Sequence, residues 1–127
     1  MGSGLAEIDI AGSAEDVWKL AGDFGGIGDW MPGIESCRVE GEDRILSTMG
    51  MTITERLISK DEGAKTITYS VIDGAPTEDH QATITVTGTG DTSHVTWAVE
   101  AKPDEMAELM ASVYQQALEA LKAKIEG

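Results

Sequence analysis

The strongest constraint on this fold is a long run of strand pattern followed by one long amphipathic helix. Six segments read as strands, at 34–39, 44–49, 52–59, 65–72, 80–87 and 94–100. Turn chemistry separates them: Gly41-Glu42-Asp43, Gly50, Asp61-Glu62-Gly63, Asp73-Gly74-Ala75-Pro76 and Gly88-Thr89-Gly90-Asp91. Spacings near ten residues with short turns predict antiparallel hairpins in a meander. Beyond Pro103, the residues Met106, Leu109, Met110, Val113, Ala117, Leu121 and Ile125 recur at helical spacing, with Tyr114 and Leu118 beside them. That is about 23 residues, or roughly 34 Å of helix. Asp104 and Glu105 suit its positive end, and Lys122 and Lys124 its negative end. A sheet with one wet face needs cover on the other, and this helix is the only large cover the chain offers.

The N-terminal part supplies one more strand and two short helices. Over 5–10, Ala6, Ile8 and Ile10 alternate with Glu7 and Asp9, the pattern of a half-buried strand. Ser13 offers an N-cap, with Glu15 and Asp16 in the acidic first turn of a short helix carrying Val17, Trp18, Leu20 and Ala21. Gly22 stops it. A glycine-broken helix over 24–30 runs into Met31-Pro32-Gly33. The predicted fold is α+β: a curved seven-stranded antiparallel sheet around a long C-terminal helix, with two short helices plugging one end. A strongly curved sheet wrapped on one helix does not close completely, and the gap is a cavity.

The 127 residues suit a single domain over 1–127. One cysteine, Cys37, rules out an internal disulfide and reads as a small buried hydrophobe within strand sequence. No apolar stretch approaches the length of a membrane span, and Met1-Gly2-Ser3-Gly4 lacks the start of a signal peptide, so cytoplasmic residence is expected. Nine Lys and Arg against 23 Asp and Glu give a net charge of −14, which repels phosphate backbones and anionic membranes. Nucleic acid and membrane insertion are therefore not expected. Two histidines, 14 residues apart on opposite faces, do not make a metal site, and no phosphate-binding glycine motif is present.

Particular residues strengthen the pattern: Ala14-Glu15-Asp16-Val17-Trp18, Asp23-Phe24, Trp30-Met31-Pro32, Thr54-Glu55-Arg56-Leu57, Ile67-Thr68-Tyr69-Ser70, Val95-Thr96-Trp97, and Tyr114 with Leu118 and Leu121. In this order they resemble the helix-grip superfamily of START, birch-pollen-allergen-like and SRPBCC proteins. Its bacterial polyketide cyclase/dehydrase-like branch is the most similar. The resemblance implies a pocket for a hydrophobic small molecule and no metal or redox cofactor. Ile34-Glu35-Ser36-Cys37 and Thr54-Glu55-Arg56-Leu57 also look like the plant abscisic acid receptors. There, positions matching Glu55, Tyr69, His80, Leu109, Val113 and Ala117 face the ligand. The receptors' anchoring lysine falls at Met31, and their gate loop shrinks to the turn at Gly50, so a hormone-receptor role is not expected.

Strand parity is consistent with these positions. Tyr69 shares a face with Ile67 and Val71, His80 with Ala82, Ile84 and Val86, and Glu55 with Ile53 and Leu57. Arg44 lies with Leu46 and Thr48 and is a further polar group directed at the ligand cavity. An inward Glu55 is either paired, with Arg44 or Arg56, or held with a raised pKa as a general base. An inward His80 either transfers protons or hydrogen-bonds at a strand start. Tyr69 is either core or a donor to a developing oxyanion. Trp30, Met49, Trp97, Met106 and Met110 are candidate walls, in competition with ordinary core packing. Three functions follow: binding or carriage of an aromatic, polyketide- or terpenoid-like molecule; a cofactor-free cyclase, dehydratase, lyase or isomerase using Glu55, His80 and Tyr69; and a protein-partner module.

Overall fold

The computed structural model describes residues 2–127; Met1 lies outside the described residues. The order is β1 (Gly2–Ile10), α1 (Ala14–Ala21), a 3-10 helix (Phe24–Asp29), β2 (Ile34–Glu40), β3 (Asp43–Thr48), β4 (Met51–Asp61), β5 (Thr66–Asp73), β6 (Glu78–Thr89), β7 (Thr92–Lys102) and α2 (Asp104–Glu126). The seven strands form one antiparallel sheet in the order β1-β7-β6-β5-β4-β3-β2. β2 to β7 are the expected meander. β1 joins it by pairing with β7 over its whole length, from Gly2↔Ala101 to Ile10↔Ser93. α1 and the 3-10 helix carry the chain from that edge to the other.

Local chemistry explains the boundaries. The Ser13 hydroxyl accepts the Asp16 N–H at 3.2 Å and starts α1. Thr48 pairs with Met51, leaving Met49-Gly50 as a two-residue turn with φ of 50° and 76°. Both residues left-handed is the hairpin turn that continues the twist of its strands. β1 begins at Gly2, three residues before its apolar alternation (Leu5 minus Gly2). Glycines carry no hydrophobic pattern, yet at Gly4 the strand lies close under the helix. A Cβ there would lie 2.7 Å from the Ala111 Cβ and 2.9 Å from the Ala107 carbonyl oxygen.

The sheet is bent by register irregularities in β4, between Thr54 and Glu55 and between Leu57 and Ser59, and in β6 between Glu78 and Gln81. Such bulges curve a strand and re-aim its side chains. α2 lies against β1 and β7, burying Ala6, Val95, Val99, Ala117, Leu118 and Leu121. From there the sheet curls away, and a gap opens between α2 and β3–β5.

The free edge of β1 is covered rather than left as a template. The Gln115 side chain accepts the Glu7 N–H at 3.1 Å and donates to the Glu7 carbonyl at 3.0 Å. Lys122 donates to the Asp9 carbonyl at 3.1 Å, and Glu126 accepts the Ala11 N–H at 2.8 Å. Residues 7, 9 and 11 point backbone groups the same way, so α2 side chains occupy the edge that another strand would otherwise seek. No helix among the described residues is long and apolar enough to cross a membrane.

Candidate functional site

The gap is a cavity of about 430 Å³. One wall is Leu46 and Thr48 of β3, Met51, Ile53 and Glu55 of β4, Tyr69 and Val71 of β5, and Trp97 of β7. The other is Met106, Leu109, Met110, Val113 and Tyr114 of α2, and Ile27, Met31 and Pro32 close one end. Among the described residues, no lysine or arginine lines it. Two other depressions, one bordered by Asp9, Ser93, His94 and Lys122 and one by Pro76, Glu78, Lys102 and Pro103, are surface features with more polar walls.

The mouth is apolar and structurally defined. Thr48 donates to the Gly33 carbonyl at 2.8 Å, tying the Met31-Pro32-Gly33 turn to β3. Met49 is 67% exposed and Leu109 57% exposed, and both border the opening. Met49 holds a left-handed conformation that asparagine or glycine adopts more readily. The chain thus keeps a flexible apolar side chain at the rim at some backbone cost.

Glu55 is 7% exposed and faces inward, as its parity predicts. It is paired, and its partner is Arg44 rather than Arg56. Arg44 Nε donates to Glu55 Oε1 at 2.8 Å. Arg44 Nη2 lies 2.7 Å from the same oxygen but off the hydrogen-bonding direction, so the contact is ionic and Nη2 has no hydrogen-bond partner. Nη1 donates to the Phe24 carbonyl at 2.8 Å. The guanidinium sits 4.2 Å from the Phe24 ring centroid and 4.7 Å from that of Tyr69. Arg44 therefore clamps the 3-10 helix to the sheet. Arg56 pairs on the outer face with Asp43, at 2.8 and 3.1 Å. Both guanidinium contacts fall on Oε1 of Glu55, and Glu55 itself lines the cavity.

Three wall residues, Tyr69, Trp97 and Tyr114, join His80 in a chain of polar rings. The Trp97 indole N–H donates to the Tyr69 hydroxyl at 3.1 Å. Tyr69 donates to the Tyr114 hydroxyl at 3.2 Å, and His80 Nε2 lies 3.3 Å from that same oxygen. The Tyr114 ring stacks on Trp97, with centroids 3.9 Å apart and planes 1° from parallel. Burial pushes both phenols up, Tyr69 well above its ordinary value, so they are neutral donors.

His80 is 2% exposed, and its position follows from the β6 bulge. Asp79 is left-handed, and β5–β6 pairing ends at Tyr69↔Ala82. Past that point the Val71 N–H donates to His80 Nδ1 at 3.0 Å, and Ser70 donates to the His80 carbonyl. The imidazole stands in for a missing ladder carbonyl. Burial lowers its pKa to about 4. The Val71 bond leaves the proton on Nε2.

The structure places the sequence candidates in two groups. Glu55, Tyr69, Met49, Trp97, Met106, Leu109, Met110 and Val113 line the cavity. His80, Arg44, Trp30 and Ala117, expected there too, stand outside its wall. Arg44 and His80 are consumed by the bonds just described. Trp30 packs on Trp97 at 5.9 Å between centroids and donates to the Leu20 carbonyl at 3.2 Å. Ala117 lies one turn past Val113, where helix and sheet meet directly. Tyr114 and Met31 were not assigned to the site by pattern. Tyr114 carried a signal nonetheless, as a polar-tipped aromatic beside the apolar stripe of the helix. Cys37 is half-buried on the β2 edge, and burial pushes its thiol up, away from reactivity.

A seven-stranded sheet gripping one helix, with an apolar internal groove suited to a hydrophobic small molecule, defines the START-like helix-grip fold. The chain belongs to the polyketide cyclase/dehydrase and lipid transport family, whose model matches residues 2–126. The protein XoxI from Bacillus cereus is 34% identical, with 98% of this chain and 96% of that one covered and a TM-score of 0.92. An uncharacterised protein from Bacillus thuringiensis is 31% identical over 99% of this chain and all of its own, with a TM-score of 0.91. Norcoclaurine synthase from Thalictrum flavum, solved with dopamine and hydroxybenzaldehyde, shares the fold at 20% identity and a TM-score of 0.77, covering 97% and 85% of the two chains. No curated protein matches the chain.

Proposed function

We propose that this protein binds and carries a neutral hydrophobic small molecule, aromatic, polyketide- or terpenoid-like, in the cavity under α2. The observation that carries the reading is the wall itself. It is apolar along its length, large enough for a small organic ligand, and free of any lysine or arginine, with one carboxylate at its polar end. An anionic ligand would meet Glu55 with no partner, because Arg44 is already spent on it. Carriage fits better than turnover because the inward polar groups are largely engaged with one another. His80 has Nδ1 occupied and a pKa near 4, which makes it a poor base at neutral pH.

A catalytic reading retains one specific support, the Glu55 carboxylate in the cavity wall, of which Arg44 holds Oε1. From there a carboxylate can accept a proton from a bound carbon or oxygen acid, with a neutral phenol opposite to stabilise the charge that develops. Titration of the full chain with ethylnaphthalene and with naphthoate separates these ideas from no binding at all. Saturable NMR shifts of the Met110 and Val113 methyls and the Trp97 indole are expected with the hydrocarbon, and weaker ones with the carboxylate. Shifts that never saturate, or that fall only on surface residues, would overturn the proposal. Turnover of an identified ligand that Glu55→Gln abolishes would replace carriage with catalysis.

A further inference from the structure

Counting protons in the ring network leads to a statement about ligand chemistry, resting on the binding reading above. The network has four donors: the Trp97 indole N–H, the hydroxyls of Tyr69 and Tyr114, and the His80 Nε2–H. The imidazole tautomer follows because Nδ1 accepts the Val71 N–H. The acceptors are the two phenol oxygens. There are three contacts: Trp97 to Tyr69, Tyr69 to Tyr114, and His80 to Tyr114. Three contacts absorb three protons, so one hydroxyl proton is left over however the phenols are turned.

Its location follows from the same contacts. Trp97 can donate only to Tyr69 and His80 only to Tyr114, and in the bond between the two phenols Tyr69 is the donor. Tyr114 then accepts from Tyr69 and from His80, and its own proton has no acceptor within the network. Tyr114 lines the cavity, and its ring is held flat against Trp97, so the donor's place is set before any ligand arrives. A buried donor without an acceptor is costly, and a ligand oxygen removes that cost.

We propose that the Tyr114 hydroxyl is a specificity-determining donor, and that the cavity selects neutral hydrophobic molecules bearing an acceptor oxygen, a ketone-type carbonyl above all, over hydrocarbons of the same shape.

The test compares acetylnaphthalene with ethylnaphthalene on the full chain and on Tyr114→Phe, by calorimetry, together with the infrared carbonyl stretch of the bound ketone. The affinity ratio of ketone to hydrocarbon should fall about three- to tenfold in Tyr114→Phe, the worth of one neutral hydrogen bond. In the unaltered protein the carbonyl stretch should lie below its position in alkane solvent, and this measurement stands even if the variant does not fold. An unshifted stretch overturns the inference while leaving hydrophobic binding intact. A shift and ratio that persist unchanged in Tyr114→Phe overturn the assignment to this residue. Failure of both probes to bind overturns the inference together with the binding proposal.

Discussion

Arg44 and Glu55 show how one residue pair can be architecture and site at once. The pair is buried, and the arginine also holds the 3-10 helix through the Phe24 carbonyl. A buried pair adds little over an apolar substitute, but breaking it strands a charge. Arg44→Met is therefore expected to cost about 3–5 kcal/mol in urea unfolding, and the double change Arg44→Met with Glu55→Met distinctly less. A single variant no less stable than the double would show that Glu55 finds solvent or another partner. Strand parity already turns Arg44, Glu55, Tyr69 and His80 inward. It does not tell which inward group meets open space. A one-residue bulge at Asp79 gives His80 a backbone N–H to satisfy, and no periodicity in the sequence marks that.

Among the elements, β1 is the most instructive. Its pairing with β7 joins the ends of the sequence and rests partly on a surface cluster in which His94 bridges Asp9 at 2.6 Å and Glu7 at 3.1 Å. The Asp9 hydrogen bond, with both carboxylates' charges, raises the His94 pKa. A folded pKa above the unfolded value means the contribution is full below about pH 6.5 and is lost as pH rises through the folded pKa. His80 works in the opposite sense. Lowered to about 4, it stabilises fully above about pH 6.5 and loses that contribution as pH falls toward 4. The difference in melting temperature between the unaltered protein and His94→Gln isolates the surface histidine. It should be larger at about pH 6 than at about pH 8.5. An equal difference at both pH values would mean that the bridge carries no charge in the folded state. At this scale the helix, the hairpins and the order of strands were legible, because each is written as a local period. The Gly2–Gly4 extension of β1 was not, since glycine leaves no pattern and its use lies in how near α2 comes.

For the molecule as a whole, the net charge of −14 is a standing self-repulsion. Raising salt from about 10 mM to about 150 mM shortens the screening length from about 30 Å to about 8 Å, so the melting temperature should rise over that range. A fall would show that attractive surface pairs such as Arg56–Asp43 and Lys122–Glu126 outweigh the repulsion. The sequence by itself determined a meander, a long amphipathic helix and the inward polar residues, because hydrophobic period and turn chemistry act over a few neighbours. Only the tertiary structure decided where helix and sheet touch and where they part. That depends on bulges in β4 and β6, glycines under α2 and an arginine clamp, all acting between residues far apart in the chain. The cavity is the remainder of that packing. For the same reason Tyr114, whose hydroxyl meets partners from β5 and β6 and whose ring rests on β7, became part of the site only once those strands were in place.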